Sequence, residues 1–269
     1  MSVTAQPRTW QRRTPRAQLL TWAAWLAATA ICVVCFQFIS DKTIWAFVTD
    51  APAQAADLAV RMVPPDWGYI RQLGRPIWDT INIATLGTVM AIILAVPVAY
   101  CAARNTTPSV AFVRPLALFI IVSSRSINSL IWALMLVTII GPGVLAGIFA
   151  IGLRSIGFVA KLLYEAIEEI DEGQVEAVRA TGASFANLLT FGVVPQVLSR
   201  FIGFALYQLD SNLRNSTMVG IVGAGGVGGT LFAAFKRFDY DFVAAILLSI
   251  IALIMLGELF SARLRRTFQ

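Results

Sequence analysis

The chain has 269 residues, of which 58% are hydrophobic and only 13% charged, against about a quarter charged in a soluble domain. Its net charge of +6 is spread between apolar runs rather than gathered on one surface, which argues against nucleic-acid binding, and the lack of histidine removes the commonest general base and metal ligand. The solvent implied is lipid, and the membrane helices leave little chain over for a separate catalytic domain.

Residues 1–18 carry Arg8, Arg12, Arg13 and Arg16 and no acid, which reads as a basic cytoplasmic tail. The apolar run 19–39 follows, from Leu19 to Ile39. It is long enough for a retained span of about twenty residues rather than the shorter core of a cleaved signal peptide. Cys32 and Cys35 lie inside that run with Val33 and Val34 between them, so they read as helix-packing thiols rather than a redox or metal pair; Cys101 has no obvious partner.

Residues 40–78 form a mixed extracytoplasmic segment. Trp45, Val48, Ala55, Ala59 and Met62 recur near helical spacing until Pro64-Pro65 breaks the pattern, which predicts an amphipathic helix along the membrane surface. Residues 79–269 then supply the main transmembrane domain, with spans predicted at 80–102, 115–139, 143–163, 197–222 and 242–262. Gly141-Pro142-Gly143 makes the third and fourth spans an antiparallel pair. The expected class is an all-α membrane protein of about six transmembrane helices.

Lys and Arg accumulate on the cytoplasmic side of membrane proteins. Twelve of the 21 lie in the N-terminal tail, in 103–114, in 161–200 and in 263–269, whereas Lys42, Arg61, Arg71, Arg75, Lys236 and Arg237 fall in the opposite loops. Both termini are therefore expected in the cytoplasm.

The longest polar stretch assigned to that side is 164–196, Tyr164 to Gln196. Glu165, Glu168, Glu169 and Glu172 open it at i, i+3, i+4 spacing, which predicts one acidic helical face. Glu176-Ala177-Val178-Arg179-Ala180-Thr181-Gly182 follows, and then Gly192-Val193-Val194-Pro195. This pattern predicts a short helix, a glycine that lets the chain turn, a second short helix, and a proline opening the next span. Such a helix-turn-helix can seat in a partner's groove, or it can be a solvated connecting loop.

The stretch resembles the E-A-A-x3-G-x9-I-x-L-P loop by which permeases of binding-protein-dependent ABC importers contact their ATPase. Glu176, Ala177, Gly182 and Pro195 match at the right spacing, while Val178 replaces the second alanine and Gly192 and Val194 replace the isoleucine and leucine. Over roughly residues 60 to 269 the likeness narrows. Pro64-Pro65-Asp66-Trp67, Ser155-Ile156-Gly157 with Lys161, Asn212-Leu213-Arg214-Asn215-Ser216-Thr217, and the run from Gly220 to Gly228 resemble permeases for phosphonate, phosphite and phosphate. The first 60 residues lie outside this resemblance. What it implies is a type I ABC importer permease fold with an extra N-terminal helix, in the bacterial inner membrane. It also implies a non-catalytic subunit that pairs with a second copy of itself, with two ATPase subunits that carry ATP and Mg, and with an extracytoplasmic substrate-binding protein.

Three further signals bear on function. Gly223, Gly225, Gly226 and Gly228 hold G-x-G-x-x-G fingerprint spacing, but they follow an apolar span instead of a strand in a soluble βαβ unit, so a gate-side turn or close helix packing fits better. No G-x-x-x-x-G-K-[ST] occurs, so energy is expected from a partner. Arg125, Arg154, Asp210 and Arg214 fall within predicted spans, where an uncompensated charge costs at least about 2.5 kcal/mol. Asp210 and Arg214, at i and i+4, can neutralise each other; Arg125 and Arg154 have no sequence-adjacent acid and are candidates, with that pair, to line a polar path. The competing classes are an ATP-independent secondary transporter or channel, for which no internal repeat is visible, and a membrane enzyme, for which neither histidine nor a nucleophile elbow is present.

Overall fold

The computed structural model describes residues 15–268; Arg8, Arg12 and Arg13 of the predicted basic tail lie outside the described residues. The chain divides between Ala59 and Val60 into two compact units. The first holds α1 (Pro15–Lys42) and most of α2 (Trp45–Arg61). α1 carries apolar side chains around its whole circumference, with Leu19, Trp22, Trp25, Ile31 and Phe36 all exposed, the pattern of a helix solvated by lipid. Its Thr29 hydroxyl donates to the Trp25 carbonyl at 2.9 Å and so needs no external partner. α2 is the amphipathic helix that the spacing of Trp45, Val48 and Ala55 predicts.

The second unit is built on α3 (Ile70–Ala102) and α6 (Val144–Glu168). α3 begins at Ile70 rather than at Thr80, where the apolar run starts. Ala84, Gly87, Ala91, Ala95 and Ala99 form a buried small-residue stripe along it. α6 packs along α3, with Ile148 and Ile151 against Gly87 and Gly152 against Met90, and buries Ala146, Ala150, Ser155, Val159 and Ala160. Such stripes let helix backbones approach closely where lipid supplies no hydrophobic force of its own. A Cβ on Gly87 would stand 3.0 Å from Ile151 Cγ2 and 3.2 Å from the Ile148 carbonyl oxygen.

The span predicted as continuous over 115–139 is broken. α4 (Val113–Ser126) and α5 (Ser129–Ile140) meet at 90° across Ile127 and Asn128. The cause is local: Ile127 and Asn128 are extended, and the Asn128 side chain accepts from the Leu130 N–H at 3.1 Å, capping a new helix where the old one stops. Among the described residues five helical runs are long and apolar enough to cross a membrane, or six if this bent pair is one span.

α9 (Val194–Val219) runs on through a kinked stretch, Gly220–Ala224, in which Gly223 has φ +91°, into α10 (Val227–Arg237) and α11 (Tyr240–Phe268). α10 is a helix that the sequence pattern did not reveal, because it begins at Val227-Gly228, inside the run that read as a turn.

Side-chain bonds show which helix ends meet. Asn105 donates to the Ile167 carbonyl at 2.6 Å, Arg114 Nε to the Ala102 carbonyl at 3.0 Å, and Glu168 Oε1 accepts from the Arg104 N–H at 2.9 Å. The C-terminal ends of α3 and α6 and the start of α4 therefore share one end of the bundle. At the other, the Asp66 N–H donates to the Asp241 carbonyl at 3.2 Å and the Tyr69 and Phe242 rings lie 5.1 Å apart, joining the start of α3 to the start of α11.

Candidate functional site

The segment after α6 folds as helix, glycine, helix. α7 (Glu172–Ala180) starts on Asp171, whose carboxylate accepts from the Gly173 N–H at 2.9 Å; α8 (Phe185–Leu188) starts on Ser184; and Pro195 opens α9. Gly182 between the short helices has φ +75°, a conformation that costs other residues about 1–2 kcal/mol. α7 turns Val175 inward, against Gly192, and leaves Glu176 and Ala177 exposed together with Gly182 and Pro195. The four residues that match the coupling motif thus lie on one solvent-facing segment at a single end of the bundle.

The acidic face predicted across Glu165, Glu168, Glu169 and Glu172 does not form. α6 ends at Glu168 and α7 starts at Glu172, so the chain turns between them and each of the first three carboxylates finds a different cation. Glu165 meets Lys161 at 3.4 Å, Glu168 meets Arg114 at 3.3 Å and Glu169 meets Arg200 at 2.8 Å. Adjacent glutamates therefore fasten the root of the segment to the start of α4 on one side and to α9 on the other.

Within the spans, Asp210 and Arg214 form the i, i+4 ion pair that their spacing allows, with the aspartate buried and the arginine about half exposed. Asp210 Oδ1 is buried and lacks a hydrogen-bond partner. Arg125 stands at the last turn of α4, beside the break, with its Cγ over Gly157 of α6. The Ser124 hydroxyl next to it donates to the Leu153 carbonyl and accepts from the Gly157 N–H at 2.9 Å, and lies 3.3 Å from the Arg154 carbonyl oxygen. Arg125 and Arg154 are thus brought together at one helix crossing, and among the described residues neither has an acidic partner.

A buried polar network lies between α3, α6 and α9. Asn212 donates to the Thr88 hydroxyl at 2.9 Å and accepts from Ser155 at 3.1 Å and Gln208 at 2.9 Å, while Gln208 also donates to Ser155 at 2.8 Å. All four side chains are buried. The sequence displayed Ser155 and Asn212 only as parts of motifs; Thr88 and Gln208 gave no signal, because a threonine in an apolar run usually bonds back to its own helix, as Thr88 also does with Ala84.

The glycine run packs tightly. Gly223, Gly225 and Gly226 have positive φ, and a Cβ on Gly228 would fall 1.7 Å from the Thr217 carbonyl oxygen. The Val227 N–H donates to Thr80 Oγ1 at 2.8 Å and the Gly143 N–H to the Gly223 carbonyl at 3.0 Å. The turn is wedged between α3 at Thr80 and the start of α6.

Residues 87–269 match the family model for the binding-protein-dependent transport system inner membrane component. The phosphite transport system permease protein PtxC of Stutzerimonas stutzeri is 41% identical over 80% of this chain and 78% of its own length. The phosphate-import permease protein PhnE of Mycolicibacterium smegmatis is 39% identical over 82% of this chain but 43% of its own length. Among solved structures, the inward-facing MetNI methionine ABC transporter aligns over 76% of this chain and 99% of the matched chain, with a TM-score of 0.67 and 22% identity, a likeness of fold.

Proposed function

We propose that this chain, which belongs to the family of binding-protein-dependent transport system inner membrane components, is the permease that forms the membrane path for phosphite, phosphate or phosphonates in an ATP-binding-cassette importer. The observation that carries the substrate class is the 41% identity to a phosphite permease over four-fifths of the chain. Two copies of the chain enclose the path, two ATPase subunits bind and hydrolyse ATP with Mg, and an extracytoplasmic binding protein delivers the substrate.

In this reading both termini are cytoplasmic and so is the segment 164–196. Its exposed α7, its glycine turn and its two-sided anchoring through Glu168 and Glu169 suit a part that receives force from a partner and passes it to several spans. Arg125 and Arg154, which have no acidic partner among the described residues at the crossing of α4 and α6, suit an oxyanion path, because guanidinium groups offer forked donors to phosphate-like groups. Weak, exposed sites release their cargo, whereas a chelating pocket would hold it.

The deciding experiment is uptake of labelled phosphite, phosphate and methylphosphonate into vesicles containing the permease, its co-purified ATPase and the binding protein. ATP-dependent uptake of at least one of them is expected. Uptake by the permease alone, without ATP, would instead make it a secondary carrier or channel.

A further inference from the structure

On α6, Arg154, Phe158 and Lys161 stand at i, i+4 and i+7 and so share one face. On α9, Gly203, Tyr207, Ser211 and Arg214 share a face by the same rule. Two bridges fix how the helices lie: Ser155 donates to Asn212 at 3.1 Å, and Glu169 meets Arg200 at 2.8 Å. α6 and α9 are therefore antiparallel, so Arg154 precedes Phe158 on the side where Ser211 and Arg214 follow Tyr207. Between the helices the Phe158 and Tyr207 rings stack, 5.7 Å apart and 25° from parallel.

The charges beside the rings show what these faces meet. The Arg214 side chain is about half exposed, and Lys161 and its partner Glu165 are each more than a third exposed. A charge within a span is directed to a hydrated cavity or the bundle interior rather than to lipid. Tyr207, on the same face as Arg214, is half exposed as well. As packing alone the stack would bury both rings, yet Tyr207 stays open on the side that Arg214 also faces. The ring pair thus interrupts a charged stripe, with arginines on one side and the Lys161–Glu165 pair on the other.

Resting on the transport reading, we propose that Phe158 and Tyr207 form the constriction of the path, on the cytoplasmic side of the arginines, and that the matching pair of a second copy completes it. An apolar constriction closes a passage by shedding water, and a hydrated anion does not cross it. Bonds on both sides of the rings tie α6 to α9, so each pair travels with its own protomer. What opens is the gap between protomers, not the stack within one.

The test uses the permease with its co-purified ATPase in inside-out vesicles, with Cys32, Cys35 and Cys101 replaced by serine. Gly203 and Ser211 lie one turn before and one turn after Tyr207, and nothing is within 4 Å of a Cβ at Gly203. Gly203→Cys and Ser211→Cys therefore place a thiol on either side of the rings. A membrane-impermeant, negatively charged methanethiosulfonate is added to the cytoplasmic face without nucleotide. It should modify position 203 and react roughly tenfold more slowly at position 211. Phe158→Ala together with Tyr207→Ala should abolish that difference. The comparison of the two positions with both rings present stands whether or not the double alanine variant folds. Equal rates with the rings in place, protection of both positions, or a difference that survives the alanines would each overturn the assignment. The uptake assay for the transport reading, run on the parent complex, separates the two failures. Uptake without the accessibility difference discards the constriction alone, whereas no uptake of any of the three substrates discards the transport reading and the constriction with it.

Discussion

Gln196 and Asp171, 25 residues apart, bond in both directions: the Asp171 N–H donates to Gln196 Oε1 at 2.9 Å and Gln196 Nε2 donates to the Asp171 carbonyl at 3.3 Å. The same amide nitrogen donates to the Gly192 carbonyl at 2.7 Å. One side chain at the start of α9 thus closes the whole helix-glycine-helix segment into a loop pinned at its neck.

Replacing Gln196 by leucine removes all three bonds and leaves the Asp171 N–H without its acceptor. At about 1 kcal/mol per bond, less what water restores, local opening should rise roughly tenfold. Amide exchange across 171–184 should accelerate by about that factor while α3 and α6 stay protected. Unchanged exchange there would show that the clip does not hold the segment closed.

Gly182→Val should detach or uncouple the ATPase and leave membrane insertion intact. Nothing lies within 4 Å of a Cβ at this position, so the cost is the backbone conformation alone, φ +75°. The order of effect should be valine, then alanine, then asparagine, which tolerates the left-handed region best. Co-purification of the ATPase at a series of detergent and salt concentrations reads that order, and a steric contact would reorder it by size.

Arg125→Gln and Arg154→Gln should lower substrate uptake about tenfold, equivalent to roughly 1.4 kcal/mol of barrier, with complex assembly and basal ATP hydrolysis retained. Arg214→Gln is expected to differ. It leaves the buried Asp210 carboxylate without its countercharge, so it should reduce the yield of folded protein and lower its melting temperature in detergent. If all three behave alike, the distinction between path and scaffold arginines is lost.

Gly228→Ala should destabilise the bundle by about 1–3 kcal/mol, since its methyl group would overlap the Thr217 carbonyl and force α9 and α10 apart. Gly203→Ala, where nothing lies within 4 Å, is the matched control and should be near neutral. Thermal unfolding of the two purified variants makes the comparison.

What the sequence revealed, and what it concealed, follows from the range of each interaction. The apolar runs of α1, α6 and α11 and the helix-glycine-helix of 172–188 are local patterns, and local patterns are readable. The pairing of Asp210 with Arg214 is likewise fixed by a single helical turn. The break at Asn128 escaped because one capping side chain ends a helix that a long hydrophobic window averages straight through. The separation of the glutamates escaped because α6 stops at Glu168 to bond Arg104 and Arg114, residues more than 50 positions away. The Thr88–Asn212 bond spans 124 positions and depends on three helices meeting at one level, which no periodicity encodes.

The right angle between α4 and α5 has an electrical consequence. A helix that begins partway through a span brings its first unpaired N–H groups there, and together they act as roughly half a positive elementary charge. The Asn128 side-chain oxygen accepts from the N–H of Leu130, while the start of α5 stands only a few residues from Arg125 along the chain. This part of the field belongs to the backbone. It needs no pKa, sheds no proton and does not depend on either arginine side chain, so an anion passing the break would be drawn to it even after both neighbouring guanidinium groups were gone.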